Sequence, residues 1–418
     1  MRFYCSYLSY NPTTRKGESD RIMVNSLNTR AEILWRQIWG LAALLVAIIF
    51  SWMAYRFYQP KILQKLEFVE LAGWLGIMQG LLAAVMEPLL GGLSDRIQKR
   101  LGSRLPMISV GVVLAGLIFV TVSLLVGQNL QVGIRWIVPV LMTAWVIAII
   151  VFRAPAIALL TQFAPKTELP QANAILVFVL GLVGATGPLL NNLLNTIGAS
   201  VTFLIGAIAL VLGVYILRLF TPQNSFEPSW KQDKSAPIPK LLLILMFVIG
   251  LATGFEVSIS LSIFPQELHT QLPSLTVEFI ASAILLVSAI ASVPLGKWTS
   301  KLGVNKSMFL GLGIITGLMG LTILNDRDIL VIGFILAFGI GFSLVFMSMI
   351  PLALGKVHPS CAGLSTGLYF GGSAGGTAIV SLLIKQIGLT SVGAFLLAEV
   401  AFLIATICII MSKKISVA

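Results

Sequence analysis

Few residues of this 418-residue chain could carry chemistry, and those few stand inside or beside long apolar runs. Glu87 precedes Gly91 by one helical turn, and Asp95 follows Gly91 by the same interval, with Arg96, Lys99, Arg100 and Arg104 after it. Arg153 stands near the end of another apolar run, and Glu256 falls near the middle of a third. A lone charge in hydrocarbon costs about 2.5–3.5 kcal/mol on insertion scales, so each must be paired, hydrated or neutralised. Three kinds of chemistry follow. Glu87 and Arg153, at matching depth, can pair as a brace or a moving gate. Asp95 among four bases can latch a turn. Glu256 can bind a proton or accept a hydrogen bond from a hydroxyl.

The elements that must hold these groups are membrane helices. The composition is 57% hydrophobic and 11% charged, which a water-exposed domain surface does not allow. A span takes about 20 mainly apolar residues. Runs at about 34–57, 68–91, 106–127, 134–160, 171–194 and 199–220 are followed by a second set at 240–264, 275–296, 306–324, 329–352, 361–384 and 388–411. The expected class is an all-α, polytopic protein: a polar segment 1–33, a six-helix bundle 34–220, a linker 221–238 rich in Pro and polar residues, and a second six-helix bundle 239–412. Segment 1–30 has no long apolar run, and Met23 reads as the translation start, with 1–22 an extension that a detected peptide from 3–15 would refute.

The halves echo one another. Pro88-Leu89 has a counterpart in Pro294-Leu295, and Pro155-Ala-Ile-Ala-Leu159 in Pro351-Leu-Ala-Leu354. Ser300 stands where the second half would carry the equivalent of Asp95. The stretch Glu87–Pro106 itself reads as a loop between the second and third spans. With the termini and the linker on one side, all Lys and Arg but Arg56, Lys61, Lys65, Arg135, Arg327 and Lys385 fall on that side, which marks it as cytoplasmic.

Gly91-Gly-Leu-Ser-Asp95-Arg96, followed by Arg100, Gly102 and Arg104, resembles the signature of the major facilitator superfamily between its second and third helices. Ser94-Asp-Arg-x-x-x-Arg-x-Gly-x-Arg-x-Pro106 looks like the variant of the sucrose-transporter and glycoside–pentoside–hexuronide symporter branch. The resemblance implies twelve helices in two pseudo-symmetric bundles that rock about a central site. It also implies gating at Gly91, Asp95 and Arg96, with Arg100 and Arg104 as further contributors. A secondary transporter in the bacterial inner membrane follows, a monomer moving a small solute, with a sugar-type substrate and a proton as coupling ion.

Trp52, Tyr55, Trp145 and Tyr369 are candidate stacking surfaces for a sugar ring, and equally ordinary packing residues. Tyr55, Arg56 and Tyr58 read as an interfacial set at the end of the first span. Cys5, Cys361 and Cys408, with His269 and His358, compose no metal pattern, and no nucleotide-loop or nucleophile motif is present. The expectation is no enzyme, no cofactor and no metal. The net charge of +12 is spread over loops, so lipid rather than nucleic acid is the expected partner. Two other readings are an efflux antiporter for amphiphiles, marked by an apolar cavity with Glu256 its only charge, and a non-transporting scaffold for pigment-protein assembly.

Overall fold

The computed structural model describes residues 32–128, 131, 133–221, 239–324 and 330–415. The segment before residue 32, the linker positions 222–238 and Arg327 lie outside the described residues, and with them the expectations placed there.

Among the described residues, twelve helices are long and apolar enough to cross a membrane. In chain order these are α1 Trp35–Lys65, α2 Val69–Leu101, α3 Leu105–Val126, α4 Ile137–Ala158, α5 Leu169–Ala185, α6 Ala199–Phe220, α7 Lys240–Gln271, α8 Val277–Leu302, α9 Val304–Ile323, α10 Val331–Gly355, α11 Ala362–Ile387 and α12 Ser391–Ile415. One apolar core is built almost wholly from α1–α6 and a second from α7–α12. Between the halves, α2 lies along α11 and α5 along α8, and these pairs exchange under a shift of six helices. Among the described residues there is no strand, and the architecture is a twelve-helix bundle of two six-helix halves.

Three boundaries differ from the sequence reading, each for a physical reason. The stretch after Gly91 is not a loop: α2 continues for more than two further turns and ends at Gly102, whose φ of 75° suits only a residue without a side chain. The charges that suggest a loop instead lie along a helix that outlasts the apolar layer. In the same way α1 runs on through Pro60 to Lys65, so Arg56 lies well inside the helix rather than at its end. The fifth span is broken, α5 giving way at Thr186 to a second segment, Gly187–Ile197, that opens with Pro188.

Side chains without bulk set the distance between the halves. A methyl group on Gly91 would come within 2.1 Å of the Gly363 carbonyl oxygen, and one on Gly367 within 2.3 Å of that of Glu87. Backbone therefore touches backbone where α2 crosses α11, the packing that small residues permit in membranes. On the same face, Lys356 follows α10 and donates to the Ser412 hydroxyl of α12. Burial pushes its ammonium down to about 8 from the ordinary 10.5. The folded state bears that cost while Lys356 is protonated below the depressed value, and the cost fades as pH rises toward 10.5. Lys356→Met is expected to raise the thermal unfolding midpoint at pH 7, with the gain shrinking steadily as pH rises from about 8 toward 10.5. A gain independent of pH would contradict this cause.

Candidate functional site

The crossing of α2 and α11 carries a buried ion pair that also caps a helix, called the latch below. Asp95, on the last turns of α2, accepts from the backbone N–H of Gly363 at 2.9 Å through Oδ1 and of Leu364 at 2.7 Å through Oδ2. These are unpaired amides of the first turn of α11, so a carboxylate from the other half does the work of a helix cap and meets the positive end of the helix dipole. Arg104, at the start of α3, pairs with Asp95 Oδ1 at 2.6 Å and is fully buried. It also donates to the Pro359 carbonyl at 3.0 Å, again across the halves. Nearby, Lys166 Nζ donates to the Val357 carbonyl at 3.0 Å.

Arg96 and Arg100, expected beside Asp95, are exposed and make no ion pair in the described residues. Helical spacing explains this. Gly91 and Asp95 share the face toward α11, and the residue after Asp95 is turned away from it. The helix end at Gly102 brings the chain back so that Arg104, nine residues on from Asp95, becomes the partner. The related crossing of α5 and α8 has no such latch: Ser300 donates to Gly296 of its own helix.

Away from the latch lies a cavity of about 1000 Å³ between the halves. It extends from Glu87, Arg153 and Ile350 to Arg56, Pro60, Gly73 and Lys385, at the helix ends opposite the latch. Glu87 pairs with Arg153, whose guanidinium also lies over the Phe370 ring of α11 at 5.4 Å. Glu87 Oε2 and Arg153 Nε have no hydrogen-bond partner. Gln79 Oε1 accepts a hydrogen bond from the Tyr55 hydroxyl at 2.9 Å, and its Nε2 donates to Thr143 Oγ1 at 3.3 Å. Asn173 of α5 donates to the Phe346 and Met347 carbonyls of α10 at 3.0 and 3.2 Å, leaving its Oδ1 unpartnered. Ser258, Ser262, Ser373, Thr377 and Ser381 add hydroxyls.

The expected aromatics divide. Trp52 and Tyr55 line the cavity, whereas Trp145 is stacked between Tyr55 at 4.6 Å and Phe119 at 4.4 Å in the core of the first half. Tyr369 is buried with its hydroxyl 2.8 Å from Thr253 Oγ1. Neither Trp145 nor Tyr369 is on the cavity wall. Glu256 also departs from expectation. It points into the core of the second half, where it accepts from Thr316 at 2.8 Å, and is absent from the wall. Residues that sequence reasoning missed are Gln59, Gln79, Asn173 and Lys385, and Arg56 as a cavity group. A signal existed: Trp52, Arg56 and Gln59 recur at helical spacing on one face of α1.

Residues 41–381 match the family profile described as Major Facilitator Superfamily. The chain belongs to that superfamily. Its members are transporters rather than enzymes. The human organic anion transporter MFSD10 (TETRAN) is similar in structure, with TM-score 0.67 at 14% identity over 90% of this chain and 99% of that one. The proton:xylose symporter XylE bound to 6-bromo-6-deoxy-D-glucose gives 0.66 at 13% identity over 90% and 95%. A bacterial homologue of the iron transporter ferroportin in an outward-facing state gives 0.67 at 15% identity over 92% and 100%. At these identities the likeness is one of fold. No curated protein matches in sequence.

In this chain Arg104, not Arg96, pairs with Asp95. Removing one member of a buried pair strands the other, at a cost of about 3–5 kcal/mol. Arg104→Gln is therefore expected to lower the thermal unfolding midpoint of the purified protein sharply, while Arg96→Gln stays within about 0.5 kcal/mol of the parent. Equal effects would contradict the assignment.

Proposed function

We propose that this protein moves a small polar solute of sugar type across the bacterial inner membrane by alternating access, together with a proton. The conformation described is then the outward-open one, with the Asp95–Arg104 latch closed on the cytoplasmic side. The excess of Lys and Arg on the latch face supports that orientation. The likeness of the stretch Ser94–Pro106 to the sucrose-transporter branch supports the substrate type. The protein acts as a monomer, each chain having its own cavity between its own halves.

The observation that carries this reading is the make-up of the cavity wall. Amides and hydroxyls from both halves converge there with Trp52, Tyr55 and Phe370. An efflux cavity for amphiphiles would have Glu256 as its only charge; this wall, although largely apolar, lacks Glu256 and carries Arg56, Glu87, Arg153 and Lys385.

The proton site moves with the geometry. Glu87 is the acid beside the wall, buried, paired with Arg153 and with one oxygen unpartnered among the described residues, so it is the carboxylate there that a proton would neutralise. Glu256 is kept for the packing of the second half. Sugar-evoked acidification of proteoliposomes, read with an internal pH dye, is expected to be lost in Glu87→Gln and retained in Glu256→Gln. The reverse pattern would return coupling to Glu256. No proton movement with any sugar in folded protein would overturn the symport.

A further inference from the structure

Four charged residues line the cavity, and three are basic: Arg56, Arg153 and Lys385 against Glu87. Glu87 is occupied by Arg153. No acid pairs with Arg56 among the described residues. Lys385 rests over the Trp74 ring at 4.0 Å, again without a carboxylate. Arg56 and Lys385 are exposed to the open space between the halves, and excess positive charge lining a cavity in a membrane protein is costly when no acid answers it. A counter-ion carried in by the solute would offset that cost.

The polar groups of the wall sharpen the chemistry. Arg56 and Lys385 are exposed on it with no carboxylate partner among the described residues. Ser258, Ser262, Ser373, Thr377 and Ser381 bring hydroxyls to the same wall. Exposed cations suit an anionic head, and hydroxyls suit the hydroxyl groups of a polyol. Resting on the transport reading above, we infer that the solute is a hydroxylated organic anion, a carboxylate or phosphate ester on a polyol frame, with Arg56 the principal partner of its charge. Arg56 can offer two parallel N–H groups to a carboxylate or phosphate, which Lys385 cannot.

The test uses solutes that differ only in charge. Gluconate, sorbitol and glucamine share one six-carbon polyol frame ending in a carboxylate, an alcohol and an ammonium, and glucose 6-phosphate supplies a second anionic head. Each is titrated into purified full-length protein in detergent by calorimetry. Saturable binding is expected for both anions, about tenfold or more tighter than for sorbitol, with glucamine weakest. Arg56→Gln is expected to weaken the anions about tenfold or more and to leave sorbitol unchanged, with Arg56→Lys between. Sorbitol or glucamine binding as tightly as the anions, no saturation by either anion, or a folded Arg56→Gln protein with unchanged anion affinity would each overturn the inference. Where Arg56→Gln fails to fold, the charge series on the parent protein and Arg56→Lys still decide. Equilibrium binding needs neither gating nor proton flow, so its failure leaves the transport reading to the proteoliposome experiment.

Discussion

The carboxylate of Asp95 on the first turn of α11 is the interaction on which the contact between the halves at this face depends. It satisfies two backbone amides that have no partner in their own helix and sets a negative charge at the positive helix end. It reaches them only because α2 and α11 touch backbone to backbone at Gly91, Gly363 and Gly367. Any side chain there would lift the helices apart and break the cap. The buried guanidinium of Arg104 then stabilises the charge on Asp95 and ties α3 to Pro359 as well.

Such a contact suits a switch. Its partners are backbone amides and carbonyls that water could satisfy if the helices parted, so opening strands few groups. The halves are otherwise joined through a modest set of polar contacts, with Asn173 to α10 and Ser292 to the Ala174 carbonyl among them. The rest of each half is a packed core of its own. Two stiff bodies with a latch at one face leave the space between them as the cavity, and its charges come from the helices that frame it.

The class, the number of spans and the two-half plan were legible in the sequence because long apolar runs can do little else in a bilayer. Helix ends were less legible. Hydropathy marks where the apolar layer stops, and α1 and α2 do not stop there, which is why Arg56 read as an interfacial anchor and Asp95 as part of a loop. The Glu87–Arg153 contact could be read from matched depth, since each charge needed an answer. Glu256 was as conspicuous, yet depth says nothing about direction, and the rotation of α7 turns it toward Thr316 rather than the cavity. Gln59, Gln79 and Asn173 passed unnoticed because an amide among apolar residues is common, and only the convergence of distant helices makes these three a wall.

The most direct test of the account is the distance between spin labels on the latch-face ends of α2 and α11, measured in proteoliposomes for the parent and for Asp95→Asn. The account predicts a short, narrow distribution for the parent and a shift to longer distances in the variant, since an amide can cap one N–H but cannot hold Arg104 by charge. The same short distribution in both proteins would contradict it, and the closed face would then rest on glycine packing alone.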